Sequence, residues 1–116
     1  MTNYGFTITP EHGLVTIRFN GRLSRNDIKI LREEILNNYS ASTSIIIINM
    51  NLGEPSSLLV SIFLEVLDIR NRDGKGLAFC EMDRSTQKAL QATGVLKYAL
   101  SFDLETKARE YFNYDK

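Results

Sequence analysis

The sequence predicts one α/β domain on a mixed, mostly parallel sheet of four to five strands with four helices, in the order ββαβαβαβα. Three observations carry that expectation. Two apolar runs, Ile45-Ile46-Ile47-Ile48 and Leu77-Ala78-Phe79-Cys80, are continuous rather than alternating, the pattern of strands covered on both faces. Segments with helical spacing separate the later strands, which implies strand–helix–strand units with right-handed crossovers. The 116 residues, 43% of them apolar, suit a single core spanning 1–116, and no linker, repeat or low-complexity segment divides them.

Each element has its own signal. Phe6 and Ile8 alternate with Thr7 and Thr9, Pro10-Glu11-His12-Gly13 supplies a turn, and Val15, Ile17 and Phe19 alternate with Thr16 and Arg18. This hairpin is expected near a sheet edge or with one face partly covered. Gly21 to Ser24 ends it. Ser24 with Asp27 three residues on is a capping box with aspartate in place of glutamate. Ile28, Leu31 and Ile35 then share a helical face, and Asn37-Asn38-Tyr39-Ser40 ends the helix. Ile45–Ile48 is the central strand. A helix from Pro55 to Arg72 follows, broken by Asp73-Gly74-Lys75-Gly76, and Leu77–Cys80 is the next buried strand. A shorter helix runs from Ser85 to Thr93 with Gly94 placed to end it. Val95 to Phe102 holds a short last strand, and Asp103 is placed to cap a final helix from Leu104 to Tyr111.

Composition excludes several classes of function. Fourteen basic and fourteen acidic residues balance, so no general field draws the chain to nucleic acid or an anionic membrane. The most apolar stretch, Leu58 to Ile69, is interrupted by Ser61, Glu65 and Asp68 and is too short to span a bilayer. The opening residues carry no signal-peptide pattern and Cys80 has no disulfide partner, which predicts a cytoplasmic protein.

Catalytic chemistry finds little support. His12 is the only histidine and has no neighbouring ligand set, so no metal or other cofactor is expected. Cys80 in a buried strand behaves as a small apolar residue and lacks a base. The Asp73–Gly76 turn lacks phosphate-loop spacing and follows a helix. Glu33-Glu34 reads as solvated surface. A hydrolase built on Ser56 or Ser57 fails for want of a base, and the chain is expected not to be an enzyme.

The helix after the two serines carries the most information. With Ser57 at zero and about 100° per residue, Ser57, Ser61, Glu65, Asp68 and Arg72 fall in one stripe of roughly 80°. Apolar residues fill most of the other ~240°, more than the ~100° stripe needed to cover a sheet. The excess is expected either to pack on a neighbouring helix or to stay open to a partner. Pro55 suits the first helical position, which gives the cap to Glu54 and the first turn to Ser56 and Ser57. A phosphate there would meet free backbone N–H groups and the positive end of the helix dipole.

Four features together resemble a STAS domain, the fold of bacterial anti-sigma factor antagonists. Gly21-Arg22-Leu23-Ser24 resembles the family's Gly-x-Leu-Asp. The apolar strand into Asn49-Met50-Asn51 is similar to its strand and polar loop, and Ser56-Ser57-Leu58 to its Asp-Ser-Ser/Ala-Gly-Leu. The closing pattern Leu90-Gln91-Ala92-Thr93-Gly94-Val95-Leu96-Lys97-Tyr98, then Phe102 and a last helix, matches best. The likeness runs from Phe6 to Phe112. It implies a non-enzymatic signalling protein that binds an anti-sigma factor of the serine-kinase type, released when the first serine of the pair, here Ser56 with Ser57 second, is phosphorylated. It implies a docking face of Ser24, Glu54, Leu58, Ser61, Ile62 and Glu65. Pro55 and Leu58 depart from the motif where aspartate and glycine are usual, Ser24 replaces another aspartate, and the loop before Ser56 is about two residues short. Two alternatives go with the same likeness: an accessory subunit on the ATPase of an ABC-type membrane transporter, and a STAS domain holding an apolar ligand.

Overall fold

A computed structural model describes residues 5–11, 13–39, 44–51 and 55–112. Strand β1 (Phe6–Glu11) and strand β2 (Leu14–Phe19) form the antiparallel hairpin, with Phe6 opposite Phe19, Ile8 opposite Ile17 and Pro10 opposite Val15. Pro10 therefore belongs to the strand, not to the turn. It is tolerated there because β1 is an edge strand, where a missing N–H can face outward. Gly13, at φ +74, closes the tight turn that results. His12 lies outside the described residues.

Strands β3 (Ile45–Asn49), β4 (Gly76–Cys80) and β5 (Leu100–Phe102) extend the sheet in parallel, giving the order β1-β2-β3-β4-β5. The isoleucine run is central, as its continuous apolarity predicts. Strand side chains alternate between faces, and the two faces are covered differently. Val15, Ile17, Ile46, Ile48, Leu77 and Phe79 meet helices α1 (Arg25–Glu34), α2 (Ser57–Arg72), α3 (Arg84–Ala92) and α4 (Val95–Tyr98) in the larger core. Leu14, Ile47 and Cys80 meet Ala108 of α5 (Glu105–Tyr111), with Phe102 and Phe112 beside them. β2 is thus interior, with its Thr16 side also buried.

Two boundaries differ from the sequence pattern. The capping box of Ser24 and Asp27 starts α1 as expected, with both reciprocal bonds present (3.0 and 3.1 Å). The helix ends in the Asn37–Ser40 stretch as expected, its last turn being π-helical over Ile35–Tyr39, with Ile35 fully buried. Val95–Tyr98 is helical rather than extended, so the described residues hold five α-helices and not four. Gly94, at φ +87, ends α3 as predicted and turns the chain so that Val95 enters the core. Only Leu100–Phe102 remains for the last strand. Finally, α5 is not capped by Asp103. Leu104 holds the cap position without a side-chain bond, and the Glu81 carboxylate accepts from the Glu105 N–H at 2.7 Å instead.

Arg70 anchors α2 to the sheet. It lies among apolar residues on the helical wheel and is fully buried. Its guanidinium donates to the backbone carbonyls of Ser44 (2.9 Å) and Gly76 (3.2 and 2.5 Å), at the starts of β3 and β4. Burial pulls it down to about 10, still charged at neutral pH.

Candidate functional site

The site is built at the start of α2. Ser56, not Glu54, is the cap residue: it is extended (φ −69, ψ 160) and its Oγ accepts from the Leu59 N–H at 3.2 Å. A short hydroxyl reaches that third N–H readily, which is why serine leads at helix starts. Pro55 precedes the cap instead of opening the helix. Glu54 lies outside the described residues.

Ser57 is the first helical residue and is exposed, and its hydroxyl has no hydrogen bond among the described residues. Ser61, one turn on, is also exposed and donates to the Leu58 carbonyl at 2.8 Å. Asp68 and Arg72 complete the solvent-facing stripe and pair with each other at 3.1 Å. Leu58 (37% exposed) and Leu64 (39%) flank it. The rest of the wide apolar surface is covered: Leu59, Val60, Phe63, Val66 and Leu67 lie in the larger core. Ile62 does too, at 5% exposure, so it cannot serve as a docking residue. It falls on the side of α2 turned toward α1, which packs on that helix.

Glu65 is the fifth polar residue of the predicted stripe, and it is already engaged. Arg32 of α1 donates to both its carboxylate oxygens (2.7 and 2.6 Å), a bidentate pair joining the two helices. That hydrogen bond holds the Glu65 carboxyl below its ordinary value and raises Arg32. Ser24 stands at the start of the same neighbouring helix, exposed but with its hydroxyl used in the cap.

On the opposite flank, α2 and α3 border an open groove of about 410 Å³ beginning at Pro55 and Ser57 and floored by Val60, Leu64, Ala89 and Thr93. A second hollow continues past Leu64 to Asn71 and Tyr98. The sequence pattern did not single out this groove. Its signal is Leu64, which falls about 20° from Ser57 on the wheel and so borders the polar stripe with an apolar side chain.

Polar chemistry concentrates on the other face of the sheet. Glu105 accepts from Arg18 at 3.0 and 2.5 Å and from Asn49 at 3.1 Å. Arg109 pairs with Glu11 at 2.6 Å and donates to the buried Thr16 hydroxyl at 3.2 Å. Burial alone would raise the Glu105 carboxyl. The bonds from Arg18 and Asn49, with the charges of Arg18 and Arg109, outweigh that and hold it below its ordinary value. A carboxylate so supplied with donors is a poor proton acceptor. The Cys80 thiol, fully buried, is pushed up to about 12 by burial and is not a ready nucleophile. Among the described residues no cluster of three or more His, Cys, Asp or Glu is placed to hold a metal, and no helix is long and apolar enough to cross a membrane.

No protein-family model matches the chain, and no curated protein does. Solved structures match it closely in shape. A crystal structure from Thermotoga maritima, described as a candidate anti-sigma factor antagonist, superposes with a TM-score of 0.81 at 13% identity, covering 91% of this chain and 92% of that one. The anti-sigma factor antagonist SpoIIAA of Bacillus matches in its phosphorylated form, with TM-score 0.76, 18% identity and coverage of 93% and 99%. The fold is that of a STAS domain. RsbS of Moorella thermoacetica, in a serine-to-glutamate form, gives 0.80 at 12% identity over 91% and 92%. The STAS likeness read from scattered motifs therefore holds at the level of the fold, over nearly the whole chain.

Proposed function

We propose that this chain is a non-enzymatic STAS-type interaction domain of bacterial signalling, resident in the cytoplasm, which docks through the start of α2 onto a kinase-type anti-sigma factor or a related protein controlling transcription. Ser56 or Ser57 is the switch: the unmodified form binds and the phosphorylated form does not. We assign Ser24, Glu54, Leu58, Ser61 and Glu65, with its Arg32 partner, to the same docking face.

One observation carries the reading. Two adjacent serines open a helix on a STAS fold, both exposed, beside half-exposed leucines and an apolar groove. The local chemistry supports a switch. A phosphate on either serine adds nearly two negative charges. It is held by the helix start, so the helix does not melt. The added charge stands next to Leu58 and Leu64, where an apolar partner surface would have to be desolvated against it. The two hydroxyls are not equivalent. That of Ser56 already serves the cap, while that of Ser57 is unengaged among the described residues.

Incubation with a candidate anti-sigma kinase and ATP, followed by mass-spectrometric mapping, tests the proposal. Phosphate on Ser56 or Ser57 with loss of the complex is expected. Stable binding without modification at either serine would remove the switch and keep the docking role. Absence of binding to any such kinase would remove both.

A further inference from the structure

The two edges of the sheet are defended differently. On β1, the Asn20 N–H bonds the Gly5 carbonyl, so Thr7, Thr9 and Glu11 exchange bonds with β2 while Pro10 faces outward. Proline there has no N–H to offer, which blunts the edge against strand addition. β5, at the other end, is Leu100-Ser101-Phe102, without proline or charge. Four of the six large apolar residues exposed among the described ones lie in it or beside it: Tyr98 (64%), Leu100 (39%), Leu104 and Tyr111 (62%).

The backbone of this edge faces outward at one residue. The Met50 N–H bonds the Cys80 carbonyl and the Gly76 N–H bonds that of Ser44, so Gly76, Ala78 and Cys80 address β3. Leu77 and Phe79 therefore address β5. Ser101 is the direct neighbour of Phe79, and in a parallel ladder the neighbour's own N–H and C=O point away. Both groups of Ser101 thus turn to the open edge.

We propose that β5 pairs with β5 of a second copy of this chain, antiparallel and two-fold about Ser101, joining two five-stranded sheets into one. Ser101 then exchanges both backbone bonds with Ser101 of the other copy. Leu100 lies opposite Phe102 in the pair type where side chains come closest. That contact falls on the α5 face, where Phe102 already packs on Tyr111 at 5.3 Å.

The same symmetry brings the charged flanks of the two strands together. Ser101 separates two surface hollows, one lined by Leu96 and Lys97, the other by Phe102, Asp103 and Lys107. Antiparallel pairing sets the leading flank of one strand against the trailing flank of the other. Lys97 of each copy is therefore set toward the flank of its mate that carries Asp103 and Lys107, the latter already paired with Glu110 at 3.9 Å, an isologous arrangement. The chain has no net charge, so the copies do not repel at a distance. A three-residue edge is at the small end of interfaces, so the association is weak and concentration-dependent.

Sedimentation velocity over a wide concentration range, with hydrogen exchange read at the Ser101 amide, tests this. The weight-average mass is expected to rise from 13.2 kDa toward twice that value, with the Ser101 amide exchanging more slowly as it does. Ser101→Pro removes the outward N–H at a position where an edge strand tolerates proline. Leu100→Lys puts a charge against Phe102 and keeps the backbone groups. Each is expected to weaken association at least tenfold, with circular dichroism unchanged for Leu100→Lys. A constant 13.2 kDa at every concentration would overturn the proposal and leave the edge to a strand of another protein. Association that Leu100→Lys does not weaken, with the Ser101 amide unprotected, would overturn it in favour of a different surface.

Discussion

The two faces of the sheet are held by different forces. On the first, four helices bury isoleucine, leucine and phenylalanine side chains against β1 to β4, and Phe63 of α2 meets Phe79 of β4 edge to face at 5.1 Å. On the second, one short helix covers a small apolar patch, and a ring of charges around Glu105 and Arg109 ties it down. Apolar packing is indifferent to pH and to which helix supplies it. The charged ring depends on protonation and on exact partners. The first face therefore sets the overall stability, and the second sets the docking of α5 and its response to acid.

The largest expected effect breaks the first face. Phe63→Ala removes a fully buried ring from the middle of the core and should cost about 3–5 kcal/mol, read from the denaturant midpoint. A loss under about 1 kcal/mol would mean that α2 is far less tightly packed than its burial indicates.

A smaller effect separates the faces. Glu105→Gln keeps the shape and removes the charge that Arg18 and Arg109 share. It should cost roughly 1–2 kcal/mol near neutral pH, a charge-assisted contribution reduced by the solvent around half-exposed Arg18. Its pH dependence has a definite sign. Folding holds the Glu105 carboxyl below its ordinary value of 4.5, so its contribution is fully present above that pH. It is lost as pH falls through the depressed folded value. Glu11, lowered chiefly by its hydrogen bond from Arg109, acts in the same direction. Thermal melts from pH 7 downward should show the wild type losing its advantage over Glu105→Gln below about pH 4.5. A difference that stays constant down to pH 3 would contradict the charged ring as its source.

The smallest effects lie at the helix start that the proposed switch uses. Ser56→Ala removes the cap bond to Leu59 and should cost about 1 kcal/mol, whereas Ser57→Ala should change stability by less than about 0.5. Equal losses at the two positions would mean that the cap is shared between them. The pair of variants also tells a binding defect from a folding defect, since Ser57→Ala is expected to leave the helix intact.

Much of the first face is legible in the sequence because its signals are local. The capping box of Ser24 and Asp27, the apolar run of β3, the stripe of Ser57, Ser61, Asp68 and Arg72, and the break at Gly94 each span a few residues and act through neighbouring backbone. At the candidate site the two serines are legible, but their roles are not. The pattern with Pro55 at the first helical position gives the cap to Glu54, whereas the helix starts two residues later and Ser56 is its cap. Burial of Ile62 and engagement of Glu65 also lie beyond local pattern, since both depend on where α1 sits. The Val95–Tyr98 segment misleads for a similar reason. Its composition suits a strand, yet packing on α2 and α3 makes it a turn of helix.

Sequence alone determined what depends on contiguous residues: the element order apart from the helix at Val95–Tyr98, the central strand, the polar stripe and serine pair of α2, and a scattered likeness to the STAS domains. The tertiary structure decided what depends on residues far apart in the chain. Arg18 and Glu105 are 87 positions apart, and Glu11 and Arg109 are 98 apart. No periodicity encodes such a pairing, because the free energy that selects it comes from desolvated charges meeting only after the sheet has formed. The open edge of β5 is of the same kind: Ser101 faces solvent because β4 occupies its other side.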